Sequence, residues 1–128
     1  TAAETVVRML QNNGYSVDYT GNYETGFYLA RISSESNFVT GNIPEDLKTK
    51  LEEHGFEIYD FTPNSLGDYD FTKGSGWMYQ VNGVYPNYGL SDYCFQNGDT
   101  LRLRFTLAYG ADIGQDMTGG SDNWGYEW

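Results

Sequence analysis

The clearest hydrophobic pattern lies toward the C-terminal end of the chain, where apolar and polar side chains alternate strictly over 101–107. The apolar positions are Leu101, Leu103, Phe105 and Leu107, and the polar positions with the preceding Thr100 are Arg102, Arg104 and Thr106. A period of two is typical of a strand with one buried face and one solvated face. The pattern therefore predicts a strand whose arginines and threonines face water.

Two Asn-Gly dipeptides predict turns in the same half of the chain. Asn82-Gly83 separates MYQV from VYPNY, and Asn97-Gly98 comes just before the alternating strand. Asn-Gly readily adopts the positive φ angles of a two-residue hairpin turn. We therefore predict two aromatic-rich β-hairpins joined by a loop at 85–92 that contains Pro and Gly.

The N-terminal segment has the period of a helix. Its apolar stripe consists of Ala3, Val6, Val7 and Leu10. Thr1 and Glu4 have the spacing of a capping box, and Gly14 is a typical C-terminal stop. A helix is therefore predicted over 1–14.

The next stretch predicts further strands and a second helix. Pro44 and Gly55 bracket a thin apolar stripe formed by Leu47 and Leu51. The predicted elements are strands at 15–20, 27–32 and 56–61, a helix at 44–55, and loops at 33–42 and 62–76.

The order of these segments resembles the bacterial DUF4430 domain family, which is related to the C-terminal domain of transcobalamin and intrinsic factor. The resemblance covers roughly residues 3–114. Its most specific parts are GWMY at 76–79 followed by Asn82-Gly83, and GDT at 98–100 opening the last strand.

The resemblance implies an α+β fold of the soluble ligand-binding (SLBB) β-grasp type. A curled mixed sheet would pack on the N-terminal helix, and the second helix would lie in an insertion at 33–68. We expect one domain at 1–110 and an acidic tail at 111–128 that is rich in Gly and aromatic residues. The aromatic end of this tail could dock on the sheet or on another module.

Charge and composition restrict the partners. The chain has 128 residues with a net charge of −11, and 17% of its residues are aromatic. Nucleic acids and anionic membranes need basic surfaces, so neither is an expected partner. No apolar run approaches the roughly 18 residues of a membrane span, so no membrane insertion is expected. The single Cys94 alternates with Tyr93 and Phe95, which predicts a buried, inert thiol.

The loop at 85–92 and the strand before it form the candidate binding surface. Aromatic faces give a ligand large contact area at low entropic cost, and amide groups orient it. The candidate residues are Tyr79, Tyr85, Asn87 and Tyr88, together with Trp77, Gly89 and Leu90, which by the resemblance match positions near the ligand-facing edge. The alternative is structural: Trp77 and Tyr79 would be core residues, and the loop tyrosines would pack against the hairpin.

Catalytic and metal-binding signals are weak. The acidic segment that contains Asp60, Asn64, Asp68 and Asp70 could offer oxygen ligands to Ca²⁺, but it lacks the EF-hand spacing. His54 is the only histidine, and it falls at the predicted end of the second helix, where the helix dipole favours a cation. No nucleophile elbow or phosphate-binding loop is present. We therefore predict no catalytic residues, no metal site and no resident cofactor.

The resemblance implies a module of a bacterial surface or secreted protein that is extracellular or attached to the cell wall, and the weak catalytic signals favour a non-catalytic role. Its partner would be a small-molecule ligand or a neighbouring domain of the same polypeptide, and a monomer is expected. A corrinoid (cobalamin-like) ligand is one candidate, because the transcobalamin relatives cover one face of a corrinoid with this domain. The alternative is a structural or adhesive module of a multidomain cell-surface protein.

Overall fold

In the computed structural model, which describes residues 1–118 and 123–127, two α-helices and five β-strands form an α+β fold. The helices are α1 (Ala2–Asn12) and α2 (Glu45–Glu53). The strands are β1 (Tyr15–Thr20), β2 (Tyr28–Ser34), β3 (Ser65–Gly67), β4 (Gly76–Val81) and β5 (Leu101–Thr106). The predicted fold class is confirmed.

The strands of the described residues pair in two separate antiparallel sheets. One sheet has the order β1-β2-β3, and the other consists of β4 and β5. The curled sheet of a β-grasp fold stays a prediction.

Helix α1 forms where the apolar stripe and the capping residues predict it. The Thr1 hydroxyl accepts a hydrogen bond from the Glu4 N–H at 3.3 Å, and Gly14 follows the helix with a φ of +87°. The stripe lies buried in the first of two hydrophobic clusters, together with Phe27, Leu29 and Ile32. Burial of this face, at about 25 cal/mol per Å² of apolar surface, holds the helix against the β-strands.

The second hydrophobic cluster lies under α2. Leu47 and Leu51 are fully buried there against Leu107 and Phe105. Trp77 packs against both clusters, so the two parts of the core meet at β4.

The predicted strand at 56–61 is wrong, and a strand occurs instead inside the predicted loop 62–76. Residues 56–61 carry apolar side chains on both faces, and these pack into the second cluster without a strand partner. β3 pairs with residues 31–33 of β2. Gly67 signals a loop in the sequence, but it serves a close contact: a Cβ there would lie 2.4 Å from the Ala30 carbonyl oxygen.

The two predicted hairpins are also wrong, although both turns exist. Asn82 and Gly83 have φ angles of +53° and +83°, as the turn requires. The chain after them does not return as a strand along β4, since only one bridge, Val81 to Val84, follows. β4 pairs instead with β5, from Gly76 opposite Thr106 to Val81 opposite Leu101.

The expectation that the polar face of β5 is solvated fails at its C-terminal half. Arg104 and Thr106 are each only 4% exposed. The predicted tail covers them: Arg104 Nη2 donates to the Tyr126 carbonyl at 2.9 Å, and the Thr106 hydroxyl donates to the Asp112 carboxylate. Trp124 of the same segment packs in the second cluster, so the described part of the tail docks on its own chain.

Cys94 is exposed, so the prediction of a buried thiol is wrong. Tyr93 and Phe95 on either side turn inward against the α1 cluster. The three residues do alternate, but Tyr93 and Phe95 take the inner side and Cys94 faces water.

Candidate functional site

A cavity of about 550 Å³ opens beside β4, a volume within the range of small-molecule sites. Five parts of the chain line it: residues 27–29 at the start of β2, 77–79 of β4, the loop 85–90, the segment 115–117, and Leu103 of β5. Its rim carries exposed side chains, among them Tyr28, Tyr88 and Met117.

The structure brings all the sequence-predicted site residues to this one cavity. Trp77 and Tyr79 line it from β4, and Tyr85, Asn87, Tyr88, Gly89 and Leu90 line it from the loop. These residues come together because the chain after Asn82-Gly83 runs back beside β4 as a loop without pairing as a strand.

Trp77 has both of the roles considered for it. Its indole Nε1–H donates to the Leu66 carbonyl at 2.9 Å, and its ring meets Phe105 edge to face with centroids 5.2 Å apart. The ring is half-buried and also faces the cavity. The Trp77 side chain therefore packs in the core and also lines the cavity.

Tyr79 fastens the loop to the strand. Its hydroxyl donates to the Tyr88 carbonyl oxygen, and burial raises the pKa of Tyr79 to about 12. The Tyr88 ring stacks on Tyr93 with centroids 5.7 Å apart. The Tyr93 hydroxyl in turn donates to Asp99 Oδ2 at 2.5 Å. These contacts give the tyrosine wall a defined position before any ligand is bound.

Tyr85 joins the loop to the tail. Its hydroxyl donates to the Ile113 carbonyl at 2.8 Å and accepts from Arg104 Nη1 at 2.8 Å. Burial raises the pKa of Tyr85, and the nearby Arg104 cation opposes that rise. The ring of Tyr85 thus lines the cavity while its polar end is fully used by the protein.

The far end of the loop supplies the cavity with a small residue and an apolar base. Leu90 is 5% exposed and belongs to the α1 cluster, whereas Asn87 and Gly89 are exposed. The nearest atom to a Cβ added at Gly89 would be the Phe27 carbonyl oxygen, 3.9 Å away. A side chain added at Gly89, which lines the cavity, would therefore begin in open space.

Two walls of the cavity were not predicted from the sequence. Tyr28 belongs to one of them, and its hydroxyl donates to Asp68 Oδ1 at 2.6 Å; burial together with this bond raises the pKa of Tyr28. The other is the segment 115–117, which lies in the predicted tail and is tied back when the Met117 N–H donates to the Tyr109 carbonyl at 2.7 Å. The sequence signal for this second wall was Met117, an apolar residue within an otherwise polar segment.

The cavity is electrostatically simple. Among the residues that the structure describes, its lining includes one carboxylate, Asp116, and no Lys, Arg, His or Cys. Its chemical content is aromatic rings, aliphatic side chains, amides and backbone groups. Such a surface can bind and orient a ligand through contact area and hydrogen bonds.

The residues considered for metal binding or catalysis lie elsewhere. In the acidic segment, Asp70 Oδ2 pairs with Arg31 Nη1 at 2.8 Å, and Asp68 accepts the Tyr28 hydroxyl. No cluster of three or more metal-binding side chains occurs within residues 1–118 and 123–127. His54 caps the C-terminal end of α2 and packs on Trp124, with ring centroids 4.7 Å apart.

Within the part of the chain that the structure describes, no helix has the length and apolar character needed to span a membrane.

Comparison with known proteins identifies one family. Residues 50–106 match the family model described as a domain of unknown function, DUF4430. No curated protein and no solved structure matches the chain. The matched segment contains β3, β4, β5 and the loop 85–90, and hence every sequence-predicted site residue.

Proposed function

We propose that the protein is a non-catalytic, extracellular ligand-binding module, starting from the match of its residues 50–106 to the family model of a domain of unknown function, DUF4430. The aromatic cavity beside β4 is its binding site. One observation carries the proposal: the seven site residues predicted from the sequence all line a single cavity of about 550 Å³.

The chemistry of the lining supports a ligand with apolar surface and hydrogen-bonding groups. Rings of Trp77, Tyr79 and Tyr85 offer flat contact area, and Asn87 offers an amide at the exposed end of the loop. Because contacts within the protein fix these rings, a ligand would meet a preorganised surface, which reduces the entropic cost of binding.

A corrinoid is the first ligand to test, because the resemblance to the transcobalamin C-terminal domain suggests it. A macrocycle lying flat on the aromatic rim would have only one face covered by this chain. The overall charge of −11 favours ligands that are neutral or cationic over anionic ones.

The experiment is a calorimetric titration of the protein with cyanocobalamin and with a panel of neutral glycans. Gly89→Trp should block the cavity, because Gly89 lines it, its φ of −78° suits any residue, and a side chain there would begin in open space. Val84→Trp is the matched control, since Val84 is 63% exposed and lies outside the lining.

We expect binding to the wild-type chain and to Val84→Trp, and loss of binding in Gly89→Trp. Binding that is equal in the two variants would refute the cavity as the site. No heat with any compound, corrinoid, glycan or peptide, up to millimolar concentrations would refute the function.

The rim favours a second candidate function, a structural or adhesive module that packs against a neighbouring domain. Tyr28, Tyr88 and Met117 are large side chains of the cavity lining, and each is more than 40% exposed. Contiguous exposed apolar groups are typical of protein contact sites. The full-length protein tests this: Met117→Lys would then release the neighbouring domain, whereas Gly89→Trp would leave it docked.

A further inference from the structure

The cavity exposes the backbone edge of β4 in addition to its side chains. Trp77, Met78 and Tyr79 are consecutive, and all three line the cavity. Successive side chains of a strand point to opposite faces of the sheet. A cavity that contacts three residues in a row therefore runs along the edge of the strand.

The register of β4 with β5 identifies the backbone groups on that edge. The Asn82 N–H donates to the Thr100 carbonyl at 2.9 Å, which makes these two residues a hydrogen-bonded pair of the ladder. Hydrogen-bonded and non-hydrogen-bonded pairs alternate in an antiparallel ladder. Trp77 and Tyr79 therefore belong to non-hydrogen-bonded pairs, and their N–H and C=O groups point away from β5.

No strand of the described residues pairs with this edge. The loop covers one end of it, where the Val81 N–H donates to the Val84 carbonyl at 2.9 Å. Beyond that point, neither the loop 85–90 nor the segment 115–117 makes a backbone hydrogen bond to Trp77 or Tyr79. The two N–H donors and two C=O acceptors of Trp77 and Tyr79 on this edge, which borders the cavity, therefore have no backbone partner among the described residues.

The opposite wall also belongs to a strand. Tyr28 and Leu29 line the cavity from β2, and β3 pairs only with residues 31–33 of that strand. The cavity therefore lies between β4 and the part of β2 that β3 leaves unpaired. An extended chain is the shape that fits beside a strand edge, because it repeats donors and acceptors at the same spacing.

We propose that the cavity binds an extended peptide segment, which pairs with Trp77 and Tyr79 as an added strand on β4. This proposal rests on the proposed function, because it assigns a ligand class to the same cavity. Up to four backbone hydrogen bonds would hold the peptide, and every second side chain would contact the aromatic wall.

Charge selects among peptides. The described part of the lining contains Asp116 and no basic side chain, and the whole chain carries a net charge of −11. Like charges brought together at an interface weaken association, whereas opposite charges accelerate it. We therefore expect the bound peptide to be neutral or basic at the positions that face away from the aromatic wall. The alternate positions, which contact that wall, should be apolar.

The test uses a capped synthetic pentapeptide, acetyl-Lys-Val-Thr-Val-Lys-amide, titrated into the ¹⁵N-labelled wild-type chain. Two N-methylated versions carry the methyl groups on the valines or on the threonine, and a third version has Glu in place of Lys. We expect the amide resonances of Trp77 and Tyr79 to shift and their hydrogen exchange to slow. Met78 and Gln80, already paired with β5, should change little.

One N-methylated version should bind at least about tenfold more weakly than the parent, the effect of losing one or two hydrogen bonds. The Glu version should also bind more weakly, and Gly89→Trp should abolish binding while Val84→Trp preserves it. Equal affinity of the parent and both N-methylated peptides would overturn strand pairing. Absence of peptide binding at millimolar concentration would overturn the inference outright.

The two proposals fail separately. If a corrinoid or glycan binds in a manner that Gly89→Trp blocks, and the peptide does not bind, the ligand-binding function stands and strand addition falls. If no compound of any class binds, both fall.

Discussion

The Arg104 guanidinium donates a hydrogen bond from Nη1 to the hydroxyl oxygen of Tyr85 at 2.8 Å. The same Nη1 reaches the Ile113 carbonyl at 3.1 Å, and Nη2 reaches the Tyr126 carbonyl at 2.9 Å. A buried cation on β5 therefore holds together the loop that lines the cavity and the tail that covers the sheet. The geometry of the cavity depends on this contact.

Replacing Arg104 should destabilise the protein strongly. Arg104→Ala leaves the Tyr85 hydroxyl, the buried Ile113 carbonyl and the partly buried Tyr126 carbonyl without their cationic donor, so we expect the free energy of unfolding to fall by about 3 kcal/mol. Urea denaturation followed by circular dichroism measures this. The control is Arg102→Ala. Arg102 is half-exposed and pairs with an exposed carboxylate at 3.1 Å, so its loss should cost below about 0.5 kcal/mol. Similar losses in both variants would contradict the assigned role.

Asp112 organises the turn after β5 in a comparable way. It is fully buried, and its Oδ2 accepts the Leu107 N–H at 2.9 Å while Oδ1 accepts the Thr106 hydroxyl. Asp112→Asn sets an NH₂ group against one of these donors, so we expect a loss of about 2–3 kcal/mol in the free energy of unfolding. Asp116→Asn is the control, because Asp116 is only half-buried and its bonds to Thr118 lie at the surface.

Thermal and urea denaturation should both find Asp112→Asn less stable than Asp116→Asn. If Asp116→Asn destabilises the chain as much as Asp112→Asn does, the tail is not organised by the buried carboxylate.

The helices and the loop residues of the cavity could be predicted because their signals are local. Thr1, Glu4 and Gly14 specify the ends of α1 within a few residues of where they act. Asn82-Gly83 likewise specifies a turn, regardless of which strands pair on either side of it. The chain that follows this turn had to run near β4, which places the loop beside Trp77.

The pairing of the strands and the covered face of β5 could not be predicted, because distant residues decide them. Gly67 forms part of a strand only where the Ala30 backbone approaches it. Arg104 and Thr106 alternate with apolar residues as solvated side chains do, and Asp112 with the tail then buries them. Periodicity records which side chains share a face, but it does not record what covers the polar face.

Tyr93 and Asp99 predict a pH dependence of stability. The Tyr93 hydroxyl bond, with a further bond from the Gln96 N–H, holds the pKa of Asp99 below its usual value, and the same contact raises the pKa of Tyr93 to about 12. A carboxylate with a lowered folded-state pKa stabilises the protein above its unfolded pKa, and this contribution is lost as pH falls through the folded pKa. A tyrosine with a raised pKa contributes below its unfolded pKa, and this is lost as pH rises through the folded value.

Tyr93→Phe should therefore be less stable than the wild-type chain between roughly pH 4 and pH 10, and the difference should shrink on both sides of that range. The ring that stacks on Tyr88 is kept, so the comparison isolates the hydroxyl. Urea denaturation across pH measures the difference, and carboxyl NMR should show the pKa of Asp99 moving up toward 3.8 in the variant. Tyr69→Phe, at an exposed position, should show no such profile. An unchanged Asp99 pKa in Tyr93→Phe would contradict the coupling.

Trp77 allows the stability and binding roles of one side chain to be separated. Trp77→Phe keeps an aromatic wall on the cavity but removes the Nε1–H that reaches the Leu66 carbonyl at 2.9 Å. We expect the free energy of unfolding to fall by about 1–2 kcal/mol, since that carbonyl loses its donor and the smaller ring packs less well on Phe105. Trp124→Phe is the matched control. The Trp124 indole makes no hydrogen bond to the described residues, so this substitution should cost less stability.

Peptide affinity should change less than about threefold in Trp77→Phe, because strand pairing uses the backbone of residue 77 and not its indole. Titration of both variants under conditions where each is fully folded checks this, and a loss of peptide binding confined to Trp77→Phe would show that the indole itself recognises the ligand.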